Sequence, residues 1–308
     1  MDWKPIVVGV DGSPESVRAA VTGYVIAQAS GAGCTLVYAA PDYGNAMSVP
    51  ELWADDEGLR QATIEHSRTL ITGVLEGSVP QTLLDGLVVR IGRAPLVLAE
   101  VAAELGAGLI LLGGKHHRGV ARLFSGTIPH MVRTCDVPLM ATDGSSGGFQ
   151  RVLVAVDLSY AAKPTIEAGE RFAKLFGAQL RVMHVVEPIP VIPGFPVDVP
   201  DDDCYRGAEQ YVESRVWPLV TQAGVETVIR RGRSAAVIVN EVEQWRADLV
   251  VVGSHGKGWV DRLLIGSTSE RLLHLLPTLT LVVPVHRPGN AERRRLARDE
   301  MPWEAGAR

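Results

Sequence analysis

The chain repeats itself. Ile6–Ser13, IVVGVDGS, lines up with Val152–Ser159, VLVAVDLS, at an offset of 146 residues. The offset still holds where Gly31–Ala40 meets Gly177–Val186, and has become 140 where Val88–Arg93, VVRIGR, meets Val228–Arg233, VIRRGR. It stays 140 through Leu109–Gly114, LILLGG, against Leu249–Ser254, LVVVGS, and through Gly126-Thr127 against Gly266-Ser267. Residues were therefore gained or lost only between the second predicted strand and the third. Solenoid repeats run roughly 20–45 residues, so a period this long is a duplicated domain. The 308 residues divide into one domain at 1–144, a second at 149–287 and a C-terminal tail at 288–308, with TDGSSGGFQ (Thr142–Gln150) as the Gly/Ser linker.

Within each half, strand-like and helix-like stretches alternate. The first half reads strand Ile6–Val10, helix about Pro14–Ser30, strand Thr35–Ala39, helix about Glu57–Glu76, strand Leu83–Arg90, helix Ala94–Leu105, strand Leu109–Gly113, helix about Thr127–Thr134 and strand Pro138–Ala141. The second reads Val152–Val156, Pro164–Phe176, Gln179–Val185, about Tyr205–Ala223, Glu226–Arg230, Ser234–Trp245, Asp248–Val252, Ser267–Leu275 and Leu281–Val285. Runs such as LILL and LVVV are continuously apolar, as a strand buried on both faces should be. Gly31, Gly106 and Gly177 each sit where a helix should stop, and read as C-caps. Strand–helix alternation with short crossovers gives right-handed parallel units. The expected fold is α/β: two tandem, doubly wound, five-stranded parallel-sheet domains.

Bulk properties narrow the function. A net charge of −5 supplies no basic field for nucleic acid. Cys34, Cys135 and Cys204 form neither a CxxC pair nor zinc spacing, and fit a reducing compartment. The N-terminus does not read as a secretory signal and no apolar run reaches a membrane-spanning length, so a cytoplasmic protein is expected. Two loops after the second strands stand out: Pro41–Asp56, and Glu187–Asp203 with prolines at 188, 190, 193, 196 and 200. They are read as surface excursions or as flaps over a ligand. The basic stretch Ala291–Arg298 is read as a solvated or disordered tail, with a docking tail as the alternative.

The chemistry concentrates at strand ends. Open α/β sheets bind ligands beyond the carboxyl ends of their strands, where the winding reverses. The first strands end at Asp11 and Asp157, and the fourth at Gly113 and Gly253. A carboxylate there accepts hydrogen bonds from ribose hydroxyls, and glycine lets a ligand approach the main chain. Gly266-Ser267, with Thr268 and Ser269 behind, opens a helix whose amides and dipole suit a phosphate. Gly126-Thr127 is the counterpart in the first half. Taken singly, each glycine is an ordinary turn or cap; the combination is far more specific.

Gly253-Ser-His-Gly256, nine residues, then Gly266-Ser267 resembles the nucleotide-binding signature of the universal stress protein family, G-x-x-G, nine residues, G-[S/T]. The chain is similar to a tandem member, over about residues 4–142 and 150–286. The resemblance implies a Rossmann-like fold of the adenine nucleotide alpha hydrolase type, with ATP, with or without Mg²⁺, as ligand. It implies that Asp157 holds ribose, that Met183–Val186, Val185 among them, borders adenine, that Gly253 lies near ribose, and that Gly256, Gly266, Ser267 and Thr268 bind phosphates. In the first half, Asp11, Ala39, Gly113, His116, Gly126 and Thr127 take the equivalent places. That half departs from the pattern: His116 stands where the second glycine belongs, and Pro129 replaces Ser269, while Lys115–Arg118, KHHR, adds cationic capacity. Family members pair through their fifth strands; here the two halves can pair within one chain, and pairing into a homodimer is the further option.

The expected function is regulatory: an ATP-binding stress-response protein, not an enzyme beyond slow incidental hydrolysis, that passes its state to an unknown protein partner. The alternative is a structural or interaction module whose pockets are vestigial or hold another adenine nucleotide such as cyclic AMP. An ATPase or transferase is a weaker third reading. No G-x-x-x-x-G-K-[ST], G-x-G-x-x-G or G-x-S-x-G motif occurs in a suitable context, and His116-His117 lacks partners for a metal.

Overall fold

The apolar runs become the middle of one ten-stranded sheet. The structure is a computed structural model that describes residues 3–42, 57–114, 126–142, 148–188, 201–254 and 265–285. The first half comprises β1 (Ile6–Gly9), α1 (Pro14–Ser30), β2 (Cys34–Ala40), α2 (Glu57–Leu75), α3 (Gln81–Asp85), β3 (Val88–Ile91), α4 (Ala94–Leu105), β4 (Leu109–Gly113), α5 (Thr127–Thr134) and β5 (Leu139–Thr142). The second comprises β6 (Arg151–Val156), α6 (Ala162–Phe176), β7 (Gln179–Val186), α7 (Asp201–Tyr211), β8 (Glu226–Arg231), α8 (Ser234–Trp245), β9 (Leu249–Gly253), α9 (Ser267–Leu275) and β10 (Leu279–Val283). The sheet runs β3-β2-β1-β4-β5-β10-β9-β6-β7-β8. Strands pair in parallel within each half, and β5 and β10 join antiparallel, Leu281 opposite Met140.

Helices cover both faces, so successive strand residues bury in opposite directions. Ile6 and Val8 of β1 pack with α1, α2 and α6 side chains, among them Ile26, Leu75 and Phe172. Val7 between them faces the other layer, where Val101 of α4, Met131 of α5, Val242 of α8 and Leu272 of α9 gather. Each layer takes residues from both halves, so the two domains share one core on each face. Gly31, Gly106 and Gly177 end their helices with φ of 65°, 62° and 64°, a left-handed turn that glycine adopts without strain.

Several predicted boundaries shift, α7 starting four residues early at Asp201 and α6 two early at Ala162, and three shifts have a visible cause. Leu83–Asp85 belongs to the short helix α3, and β3 starts at Val88. Leu83 and Leu84 are both buried in the same layer, beside Leu75 and Leu87, whereas adjacent residues of a strand would point to opposite faces. The helix predicted over Tyr205–Ala223 loosens after Tyr211 into a π turn (Val212–Val216) and a 3-10 turn (Trp217–Leu219). Pro218 has no N–H to continue an α-helix. The last strand is Leu279–Val283, because Pro284 cannot extend the ladder. The predicted linker is also shorter than its composition suggests: Thr142 is the buried end of β5, and Phe149 is 5% exposed. The segments 43–56, 115–125, 143–147, 189–200, 255–264 and 286–308 lie outside the described residues, and with them most of the two candidate flaps, His116, the KHHR stretch, Gly256 and the tail; the second flap ends in helix, since Asp201–Asp203 open α7.

The seam is packed from both sides. Phe172 lies 4.8 Å from Phe149 and 5.1 Å from Phe176, ring centre to ring centre, with Trp3 of the first half edge-on at 6.0 Å. On the other face a Cβ added at Gly114 would stand 2.1 Å from Leu276 Cδ1 and 2.9 Å from the Thr142 carbonyl, so glycine permits the C-terminal end of α9 to close against β4. β5 and β10 each have two neighbours, so neither fifth strand offers an open edge to a second chain; the open edges are β3 and β8.

Candidate functional site

In the second half the winding reverses between β6 and β9, which lie side by side. A cavity of about 450 Å³ opens at their carboxyl ends. It brings together six of the residues expected from sequence: Asp157, Val185, Gly253, Gly266, Ser267 and Thr268. Gly256 lies outside the described residues. The rest of the Met183–Val186 segment also lines the cavity, with Ile238 and Val252 supplying apolar wall.

Each polar element is locally built. Asp157 ends β6 and turns the chain into α6. Its Oδ1 accepts from the Ser159 N–H (3.1 Å) and Oγ–H (2.6 Å), and Ser159 Oγ accepts from the Ala161 N–H (3.1 Å). The carboxylate is thereby fixed at the cavity wall. Also lining the cavity, α9 starts after Gly266, which contributes no side-chain cap. The Gly266 N–H donates to the Ser254 carbonyl (2.9 Å). The amides of the first helical turn lack intrahelical acceptors by construction and carry about half a positive charge. Ser269 Oγ donates to the Gly253 carbonyl at 2.6 Å, tying the helix tip to the end of β9.

Four lining residues carry no local sequence signal. Thr165 is buried and donates back to the Ala161 carbonyl. His184 lies within the Met183–Val186 segment; its ring is buried and its Nδ1–H donates to the Val156 carbonyl at 2.8 Å. Glu187 and Ser234 meet at the mouth, where Glu187 Oε1 accepts the Ser234 N–H at 2.8 Å. That pairing crosses 47 residues of sequence, beyond any local pattern. The hydrogen bonds from Ser234, with Arg233 nearby, hold the Glu187 carboxyl below the ordinary carboxylate range. A depressed folded-state value stabilises the fold at pH above the unfolded value, about 4.3, and the contribution is lost as pH falls through the folded value. Glu187→Gln is therefore expected to lower the urea midpoint slightly at pH 7 and to converge on the wild type toward pH 3. Equal differences at both ends would show that the charge has no part in it.

The first half repeats the scaffold with different detail. Asp11 Oδ1 accepts from the Ser13 N–H (3.0 Å) and Oγ–H (2.5 Å), the same turn as at Asp157. Here the helix starts directly after Ser13, which caps the Ser16 N–H at 3.3 Å, with Pro14 in the first turn. In the second half the helix starts three residues after Ser159, at Ala162. α1 packs closely on β4: a Cβ on Gly113 would lie 2.7 Å from Glu15 C and Ser16 N. Close packing of helix on strand thus supplies its own reason for Gly113. Ala39 lies in β2, beside β1. Gly126 and Thr127 open α5 without a side-chain cap. Pro129, where Ser269 stands in the other half, has no hydroxyl to tie the helix to Gly113. Asp11 and Gly113 lie at the carboxyl ends of the neighbouring strands β1 and β4, and Gly126 and Thr127 open the helix between β4 and β5.

Comparison with known proteins adds a lineage to this geometry. A family model described as the universal stress protein family matches the chain twice, over residues 2–142 and 148–284. The universal stress protein in the QAH/OAS sulfhydrylase 3′ region of Thermus aquaticus is 30% identical over 137 residues, which is 44% of this chain and 98% of its own length. Universal stress protein A homolog 1 of Coxiella burnetii is 30% identical over 142 residues, covering 44% of this chain and 96% of its own. Among solved structures, a universal stress protein from Archaeoglobus fulgidus superposes with a TM-score of 0.61 at 18% identity, over 92% of this chain and 99% of its own. At that identity the likeness speaks for the fold.

Proposed function

The chain belongs to the universal stress protein family, and from that premise we propose that its second half is a regulatory site for an adenine nucleotide, ATP before others. The observation that carries the reading is the 450 Å³ cavity itself: it has the volume of a small-molecule pocket and is lined by both a hydrogen-bonded carboxylate and a helix N-terminus. The polarity suits a nucleotide. Phosphates lie toward α9, on the amides and hydroxyls of Gly266, Ser267 and Thr268, with Gly256 as a further main-chain donor. Ribose hydroxyls donate to Asp157 beside Gly253, and the adenine edge runs along Met183–Val186 between apolar side chains. Two or three charge-assisted hydrogen bonds at about 1.5–3 kcal/mol each support micromolar binding. A magnesium ion, where present, would travel with the phosphates.

The role is a sensor's. Ligand at the α9 tip bridges the ends of β6 and β9, so occupancy stiffens the carboxyl ends of two central strands and is legible to a protein partner. The free thiols Cys34 and Cys135 suit a reducing cytoplasm. The first half keeps Asp11, Ala39, Gly113, Gly126 and Thr127 but has Pro129 and His116 at two positions of the pattern, and α1 crowds Gly113. We assign it weaker binding or a scaffold role.

Mass spectrometry of denatured, as-purified protein should release an adenine nucleotide, and added ATP should raise the melting temperature. The reading falls if neither occurs. A sharper check is Ser269→Ala. It removes the donor to the Gly253 carbonyl and is expected to cost about 1 kcal/mol of stability while weakening ATP severalfold. Unchanged affinity would show that the tie does not position the helix tip.

A further inference from the structure

Antiparallel pairing of β5 with β10 reverses the second half relative to the first. The helices α5 and α9 flank the seam on the same face, where Met131 and Val132 pack in one cluster with Leu272 and Leu273. They run past each other head to tail, so the last turn of α5 meets the first turn of α9. There Arg133 Nη2 of the first half lies 3.2 Å from Glu270 Oε1 of the second, each side chain 28% exposed. Arg133 Nε is buried and has no hydrogen-bond partner among the described residues.

Glu270 follows Ser267, Thr268 and Ser269, the three α9 residues that line the cavity. A carboxylate in that turn favours the helix dipole but opposes a second anion at the same tip. Among the described residues of that turn, Ser267 to Glu270, none is basic, and the cation paired with Glu270 is Arg133 of the other half, while Arg271 follows on the exposed side of the helix. The relation is one-way. By the internal alignment His130 takes the place of Glu270 in α5, and Leu273 takes the place of Arg133 in α9.

We infer that Arg133 is a positioning residue contributed by the first half to the second half's site, neutralising Glu270 so that the α9 tip accepts a charged ligand. This rests on the nucleotide reading above, and it makes the site dependent on both halves. An ion pair this exposed adds little to stability, whereas an unbalanced charge within the first turn is felt by an anion held there.

The test is titration calorimetry on the full chain with ATP and with adenosine, which share the base and sugar but differ in charge. Arg133→Met is expected to weaken ATP about two- to fivefold and to leave adenosine unmoved, with Arg133→Lys restoring most of the loss. Glu270→Gln should tighten ATP by a similar factor, and the double variant Arg133→Met/Glu270→Gln should return to near wild type. Raising the salt concentration should shrink the ATP effects. Parallel shifts in ATP and adenosine, or no shift in either, overturn the inference and leave Arg133 a packing residue. Wild type that binds neither ligand sinks the nucleotide reading first, and this inference with it.

Discussion

Gly266→Val eliminates ATP binding from the second half, lowering affinity at least about 100-fold, while the chain stays folded. Gly266 lines the cavity as the residue before α9, with φ −58° and ψ 136°, a conformation that valine also adopts. Its N–H bond to Ser254 and its carbonyl bond from the Glu270 N–H are main-chain contacts that survive the substitution. What changes is space. Two methyl groups intrude where phosphate oxygens must approach the first-turn amides, and losing about two charge-assisted hydrogen bonds corresponds to roughly 3 kcal/mol, or about 100-fold. Calorimetry with ATP reads the affinity, and far-ultraviolet circular dichroism reads the fold. A folded variant with wild-type affinity would mean that ATP sits elsewhere.

Phe172→Ala is expected to cost about 3–5 kcal/mol, the range for truncating a fully buried aromatic side chain. Phe172 is 0% exposed and sits among Phe149, Phe176 and Trp3. Edge-to-face and tilted ring contacts add to the area it buries. A domain's whole stability is only about 5–15 kcal/mol, so the loss is a large share. The cluster takes Trp3 from one half and Phe149, Phe172 and Phe176 from the other, and the sheet is continuous through β5 and β10. The two halves should therefore lose their structure in one urea transition whose midpoint falls with little change in slope. Two separate transitions, only one of them sensitive to Phe172, would show that the shared core does not couple the halves. A cost below about 1 kcal/mol would show that the site collapses around the missing ring.

Much of this molecule is legible in the chain. Continuous apolar runs such as Leu249–Val252 mark doubly covered strands because nothing on either face is left to water. Helix ends at Gly31, Gly106 and Gly177 are legible because a left-handed C-cap suits glycine above other residues. The elements that went astray are those where a proline or a tertiary contact outweighs periodicity. Pro218 and Pro284 end elements early, and α3 bends Leu83 and Leu84 into a turn that buries both. The Gly/Ser-rich linker hides Phe149, whose burial depends on the aromatic cluster it meets and not on its own neighbours.

The site divides the same way. That Asp157, Gly253, Gly266, Ser267 and Thr268 come together at one cavity is legible because a strand end and a helix start place them within a few residues of the elements they serve. Glu187 with Ser234, Arg133 with Glu270 and Gly114 with Leu276 are not, because each pair joins elements far apart in the chain.

The sequence by itself determined the duplication, the parallel α/β halves and the glycine-rich device at their strand ends. Those depend on hydrogen bonds and burial patterns that repeat over a few residues. Only the tertiary structure decided how close α1 comes to Gly113, which carboxylate stands at the cavity mouth, and that an arginine of one half lies beside the helix tip of the other. Such contacts depend on which faces meet when two sheets join edge to edge, and no local preference encodes that meeting.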